Sequence, residues 1–262
     1  MRRNALKQKL KEGKTVFGTW SMLPSAAVTN VIGEAGLDFI IIDMEHGPMS
    51  FETAEEMVRA AELMDCQPII RVCEKEESTL LRALEIRSQA IMVPHVSTAQ
   101  EAKAIVKATR YAPLGERGLS PYTRVHGYTH DNLQENLAWA NENTLVGVLV
   151  EGEEGIRNLE KIASVEGIDL IYLGIYDISQ SVGLPGELNH PKVTDGLKKS
   201  ARIIADRGIA VGSFARDHAY VQLLHENGFQ FIAYLVDCAM LKSAYQSSLE
   251  YFRGLAERSK SE

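Results

Sequence analysis

Eight short apolar runs, separated by amphipathic helical patterns, constrain the fold of this chain more than any other feature of it. They are Thr15 to Ser21, Phe39 to Asp43, Gln67 to Val72, Ala90 to Val93, Leu145 to Val150, Leu170 to Leu173, Ala210 to Phe214 and Phe231 to Val236. Near-continuous apolar runs rich in β-branched residues read as strands buried on both faces, as in a parallel sheet covered by helices. Thr53-Ala54-Glu55-Glu56 and Ser97-Thr98-Ala99-Gln100 read as capping boxes that start helices. Gly36, Gly208 and Gly228 fall where helices should stop before the next strand. Eight such units in 262 residues predict an α/β chain closed into a (β/α)₈ barrel. An open doubly wound sheet is the rival, weakened because no Gly-x-Gly-x-x-Gly turn follows the first strand. No linker, repeat or low-complexity tract divides the chain, so residues 1–262 read as one domain.

Composition narrows the function. The net charge of −7 lacks the basic footprint of a nucleic-acid binder. No apolar run approaches the roughly 20 residues of a membrane span. The basic N-terminus has no apolar core behind it, so it reads as a short amphipathic helix rather than a secretory signal. Cys66, Cys73 and Cys238 show neither metal spacing nor a disulfide framework, and a reduced, cytoplasmic protein is the simplest expectation. Between Tyr111 and His130 the rhythm breaks into a long loop, the kind that is usually functional or mobile; His126 and His130 on it are expected to be solvated. Leu241, Tyr245, Leu249, Phe252 and Leu255 recur at helical spacing in a long terminal helix from about Met240 to Arg258, whose apolar face covers the barrel or reaches a neighbouring subunit.

The strand ends carry the chemistry. Phe39-Ile40-Ile41-Ile42 runs straight into Asp43-Met44-Glu45-His46, and burying such groups is costly unless something binds them. In a barrel they share the carboxyl-end face with Trp20, Arg71, Pro94, His95, Glu151, Asp177, Arg216 and Asp237. Glu151 and Asp177 close adjacent strands, and two hard oxygen donors suit Mg²⁺ or Mn²⁺, although each could instead cap a helix or pair with an arginine. His46 is a candidate general base, with Asp43 placed to orient its ring. His95 reads as lining the mouth. Arg71 can grip a carboxylate or enolate oxygen with its planar fork, or pair with Glu45 or Glu85. No lysine ends any strand, so Schiff-base chemistry has no seat here, and no Gly-x-Ser-x-Gly elbow or cysteine–histidine pair offers a nucleophile.

Taken in order, Ile42-Asp43-Met44-Glu45-His46-Gly47-Pro48, Pro68-Ile69-Ile70-Arg71, Met92-Val93-Pro94-His95-Val96, Gly115-Glu116-Arg117-Gly118, Val150-Glu151 and Gly174-Ile175-Tyr176-Asp177-Ile178-Ser179 resemble one family. This is the HpcH/HpaI family of metal-dependent pyruvate aldolases, typified by 4-hydroxy-2-oxoheptanedioate aldolase and 2-dehydro-3-deoxyglucarate aldolase. The likeness runs from about Lys14 to Leu241. It implies a (β/α)₈ barrel of the pyruvate and phosphoenolpyruvate superfamily, with its last helix exchanged between subunits of a homo-oligomer, usually a hexamer. It implies that Glu151 and Asp177 hold the divalent ion (Mg²⁺, Mn²⁺ or Co²⁺), that Glu45 holds metal-bound water, and that Arg71 stabilises the enolate oxygen. His46, oriented by Asp43, serves as base. The turn Gly174–Tyr176 offers backbone amides to pyruvate beside Asp177, and Glu85 supplies an acid near the mouth.

The reaction so implied is reversible cleavage of a 4-hydroxy-2-oxo acid into pyruvate and an aldehyde. The chain departs from the family at Ile175-Tyr176, where Gly-Pro is usual before the small residue and aspartate. It departs also at Arg87-Ser88, near which a glycine is common, and at Tyr234-Leu235-Val236, where a glycine often precedes Asp237. Two other functions compete. One is an acyl-coenzyme A lyase of the citrate-lyase β-subunit type, which needs a basic grip on the coenzyme phosphates. The other is a non-catalytic binding protein that retains an aldolase barrel.

Overall fold

The structure, a computed structural model, describes residues 3–258. Its eight strands are β1 (Val16–Ser21), β2 (Phe39–Asp43), β3 (Gln67–Arg71), β4 (Ala90–Val93), β5 (Leu145–Val150), β6 (Leu170–Leu173), β7 (Ala210–Ala215) and β8 (Phe231–Val236). They close into a parallel barrel in sequence order, β8 returning to β1. The helices that follow are α1 (Ala5–Lys11), α2 (Ala26–Glu34), α3 (Phe51–Leu63), α4 (Glu77–Glu85), α5 (Ala99–Thr109) and α6 (Leu133–Asn143). They continue as α7 (Gly152–Arg157), α8 (Leu159–Ile162), α9 (Ile175–Ser181), α10 (Pro191–Ala205), α11 (His218–Glu226) and α12 (Asp237–Arg258).

Strand parity builds two cores. Successive side chains on a strand face opposite ways. Ile42, Ile70, Ile91, Val93, Val148, Ile171 and Ile232 therefore pack outward against the helices. Ile41, Ile69, Met92, Leu149, Tyr172, Phe231 and Ala233 fill the barrel interior. There Phe39 and Phe231 stack at 3.8 Å. Gly18 faces Phe39 and Gly212 faces Tyr172 and Phe231 so closely that a side chain at either glycine would collide with a ring. Helix α1 plugs the amino end of the barrel with Leu6 and Leu10, each stabilising the closure by roughly 2 kcal/mol. Met1 and Arg2, the start of the expected N-terminal helix, lie outside the described residues.

The punctuation differs from the sequence reading in detail. Gly36, Gly208 and Gly228 do end their helices, with φ of +84°, +71° and +82°. The first capping box, however, is not at Thr53: Ser50 caps α3, its side chain accepting from the Thr53 N–H. The second box is Thr98 with Glu101, one residue later than Ser97 with Gln100, because the helix starts at Ala99. Helix α12 does not cover the barrel. Leu241, Tyr245, Leu249, Phe252 and Leu255 are all exposed, and Asp237 is its one buried residue. Asp237 fastens the start of that helix to the end of β1, accepting from Ser21 Oγ (2.7 Å) and from the N–H groups of Met22, Leu23 and Cys238. Among the described residues no helix is long and apolar enough to cross a membrane.

Candidate active site

Extending strand parity by one step gives the top layer of the barrel. Trp20, Asp43, Arg71, Glu151, Gly174 and Phe214 continue the inward-facing series of β1, β2, β3, β5, β6 and β7. Asp43 and Arg71 are register partners in adjacent strands. Their side chains pair in bidentate fashion, Nε to Oδ1 at 2.8 Å and Nη2 to Oδ2 at 2.5 Å, both essentially buried. The third guanidinium nitrogen, Nη1, stands 2.9 Å from Glu45 Oε2. The guanidinium lies over the Trp20 ring at 4.5 Å, and Trp20 Nε1 donates to the Tyr172 hydroxyl at 3.1 Å. The arginine is thus held in one plane by two carboxylates and an aromatic floor.

Asp43 has little left for His46. Its Oδ1 accepts from the backbone N–H groups of Glu45 (3.0 Å) and His46 (3.2 Å), fixing the turn after β2. Its bonds go to Arg71 and to this turn rather than to the His46 imidazole, which is exposed at the mouth. The expected ring contact is replaced because Arg71 satisfies the carboxylate from the neighbouring strand, where a fork fits both oxygens at once.

On the other side of the mouth, Glu151 and Asp177 converge on Gly174. A Cβ at Gly174 would sit 2.9 Å from Asp177 Oδ2 and 3.5 Å from Glu151 Oε2, so glycine is what lets both carboxylates approach. The cradle is short of positive charge. Burial raises the Glu151 carboxyl above its ordinary value, and the neighbouring Asp177 and Glu45 charges add to this, against the lowering effect of His95. Glu151 and Asp177 facing one small space are two hard-oxygen donors of the kind Mg²⁺ or Mn²⁺ takes alongside water and substrate oxygens, and among the described residues no third His, Cys, Asp or Glu joins them in a set that could hold an ion.

His95 is nearer to this centre than its sequence position shows. Its Nδ1 is 2.6 Å from Glu151 Oε1 and its Nε2 is 2.8 Å from Glu45 Oε1. Its backbone N–H also donates to Glu151 Oε1 at 3.0 Å. What brings it there is a left-handed backbone at φ +57°, which no sequence pattern announces. The Asp43–Arg71 pair, by contrast, was open to a parity count, since both residues close their strands.

The remaining candidates fall elsewhere. Glu85 is not near the mouth of its own barrel. It is the last residue of α4, which descends from the carboxyl end of β3 toward the amino end, and it pairs there with Arg117 at 2.8 Å. The long loop lies on this lower flank too. Arg117 stacks on Tyr111 at 4.4 Å, and the Tyr111 hydroxyl is 3.0 Å from His126 Nε2. His126 is buried rather than solvated, and burial lowers its pKa. Tyr176 stands half-exposed at the rim, its ring 6.1 Å from that of Phe214. With Phe214 it makes the β6–β7 side of the mouth aromatic, across from the charged side formed by β2 and β3.

Comparison with known proteins places the chain in one family. The family model described as HpcH/HpaI aldolase/citrate lyase matches residues 16–244. The chain is 34% identical over 246 residues to a hydroxypyruvate/pyruvate aldolase of Roseobacter denitrificans, covering 93% of this chain and 95% of the relative. It is 32% identical over 252 residues to a 2-keto-3-deoxy-L-rhamnonate aldolase of Salmonella gallinarum, covering 96% and 94%. A crystal structure of an HpcH/HpaI aldolase/citrate lyase family protein from Burkholderia cenocepacia superposes with a TM-score of 0.89 at 30% identity, covering 95% and 99% of the two chains.

Proposed function

Because the chain belongs to the HpcH/HpaI aldolase/citrate lyase family, we propose that its barrel mouth cleaves a 4-hydroxy-2-oxo acid reversibly into pyruvate and an aldehyde, with a divalent ion in the Glu151–Asp177 cradle. The observation that carries this reading is the convergence of Glu151 and Asp177 on Gly174, beside an arginine already held flat by Asp43 and Glu45. When bound, the ion supplies a Lewis acid for the oxo acid's keto and carboxylate oxygens. Mg²⁺ and Mn²⁺ suit the oxygen donors best, and Co²⁺ is the next candidate.

The residues of the chain do the rest. Arg71 directs its guanidinium at the keto oxygen, where charge grows as the enolate forms. His46 takes the proton of the 4-hydroxyl group as the C3–C4 bond breaks, releasing the aldehyde, and the enolate carbon is then reprotonated to give pyruvate. Asp43 acts through Arg71 and through the turn that carries His46. Glu45 orients water at the same edge. The first-turn N–H groups of α9, after Gly174, have no intrahelical acceptors and face the carboxylate end of pyruvate beside Asp177. Tyr176 and Phe214 leave the aldehyde an aromatic wall. No strand-end lysine is available for an imine.

The reading includes a reduced, cytoplasmic setting, in which Cys66, Cys73 and Cys238 are thiols. The uncovered apolar stripe of α12 calls for a second copy of the chain, and the reading includes a homo-oligomer in which this helix is exchanged, a hexamer by family habit.

The test needs no knowledge of the aldehyde. Exchange of the pyruvate methyl protons in deuterium oxide reports enolisation directly. It should vanish on chelation, return with Mg²⁺ or Mn²⁺, and stay lost in Glu151→Gln. Borohydride with pyruvate should trap no adduct. Exchange that survives chelators, together with a trapped lysine, would overturn the reading.

A further inference from the structure

His95 has no part in the chemistry above, yet its surroundings give it a task. It sits two residues past β4 with φ +57°, a left-handed conformation that a non-glycine residue keeps only where its surroundings hold it. Its side chain is 62% exposed, so packing is not what holds it. What holds it is a pair of carboxylates. Glu151 Oε1 takes both the His95 N–H (3.0 Å) and the facing Nδ1 (2.6 Å), and Glu45 Oε1 faces Nε2 at 2.8 Å. The second oxygens of these carboxylates point to the two working parts of the site. Glu45 Oε2 faces Arg71 Nη1 at 2.9 Å, and Glu151 Oε2 faces the Gly174 cradle that it shares with Asp177. One imidazole therefore joins the arginine side of the mouth to the acid side.

We propose that His95 is a positioning residue: it clamps Glu151 and Glu45 so that one oxygen of Glu151 stays turned toward Asp177 and one oxygen of Glu45 stays turned toward Arg71. The inference rests on the reading of Glu151 and Asp177 as ligands. With Oε1 occupied by two groups of His95, the Glu151 carboxylate cannot rotate away from the cradle, and it presents Oε2 alone. Without the ring, two crowded carboxylates lose the group that separates and orients them, and each is free to swing into solvent. Partners of this kind, which touch the ligands and not the ion, commonly account for 10- to 100-fold in metal affinity.

The experiment is a Mn²⁺ titration of the full-length, metal-stripped protein, read by the electron paramagnetic resonance of free Mn²⁺, with wild type, His95→Ala, His95→Phe, His95→Gln and Glu151→Gln side by side. The Ala and Phe variants should bind Mn²⁺ about 10- to 100-fold more weakly while unfolding at nearly the wild-type temperature, since the side chain is exposed. The Gln variant keeps an amide donor for one carboxylate and should recover part of the loss. At saturating Mn²⁺, pyruvate methyl exchange should fall by less than the affinity does. Wild-type Mn²⁺ affinity in both Ala and Phe overturns the clamp. So does an exchange rate that collapses at saturating Mn²⁺ with affinity unchanged, which would place His95 on the substrate. If Glu151→Gln loses Mn²⁺ and His95→Ala does not, the clamp alone falls. If Glu151→Gln also binds like wild type, the ligand assignment falls and the clamp falls with it.

Discussion

The two ends of the barrel each carry a buried set of charges, and they are finished differently. At the amino end, Lys7 Nζ is 3.0 Å from both oxygens of Asp169 and donates to the Thr144 carbonyl at 2.7 Å. Arg110 donates to the same carbonyl at 2.9 Å, to the Gly167 carbonyl at 3.2 Å and to Asp169 at 3.1 Å. Asp169 also accepts from the Val146 N–H at 2.9 Å. Two cations share one carboxylate, and backbone carbonyls take up the surplus donors. At the carboxyl end the surplus runs the other way. Asp43, Glu45, Glu151 and Asp177 face one arginine and one histidine, and the backbone N–H groups that reach Asp43 and Glu151 bring no compensating charge. A set that is complete within the chain holds the fold together. One that stays short of a cation is prepared for something to bind.

That contrast predicts which end governs rate and which governs stability, and the carboxyl end should give the larger effect. Arg71→Lys keeps the charge but loses the fork that Asp43 and Glu45 hold flat. Pyruvate methyl exchange should fall by about 10²- to 10³-fold, the usual worth of a donor aimed at a developing oxyanion. Wild-type kinetics in this variant would mean that Arg71 does no more than pair with its two acids.

At the amino end the same kind of change should act on folding. Asp169→Asn leaves Lys7 and Arg110 buried beside each other without their carboxylate. Breaking a buried pair in this way costs roughly 3 to 5 kcal/mol. Urea unfolding should show that loss, while exchange per folded molecule stays at the wild-type rate, because Asp169 precedes β6 at the end opposite the mouth. An unchanged unfolding midpoint would remove the distinction between the two ends.

How much of this was legible in the sequence depended on how local the cause was. All eight strands could be read from their apolar runs, because burial on both faces writes itself into consecutive residues. The positions of Asp43, Arg71 and Glu151 at strand ends followed, and parity alone would have paired the first two. Helix starts were misplaced by one to three residues, because Ser50 and Thr98 compete with equally polar neighbours for the capping position. Glu85 was assigned to the mouth on resemblance, although a helix following a barrel strand carries its last residue to the opposite end. His95 could be read only as lining the mouth: its contacts depend on its own left-handed backbone after Pro94 and on two carboxylates, 50 and 56 positions away, that meet only in the closed barrel.

The smallest effect concerns pH, and it isolates a single amino-end charge. Burial lowers the Lys7 pKa from 10.5 to about 8; Asp169 opposes this and Arg110 adds to it. Between those values the unfolded chain keeps a proton that the folded chain has already released. Raising the pH through that window therefore favours the folded state. The gain is about 3 to 4 kcal/mol at most, at roughly 1.4 kcal/mol per pKa unit. Tyrosines buried elsewhere also titrate at alkaline pH, so the informative quantity is the difference between wild type and Lys7→Met. Methionine keeps an unbranched stem of similar length and has no proton to release. At pH 7 the variant should match or exceed wild type in stability, because the desolvated charge is gone while Arg110 still pairs with Asp169. As the pH rises from 8 toward 10 that advantage should shrink, since wild type alone gains. A difference that stays constant across the window would show that Lys7 carries its charge at no cost, and that the amino end is as well solvated as the mouth.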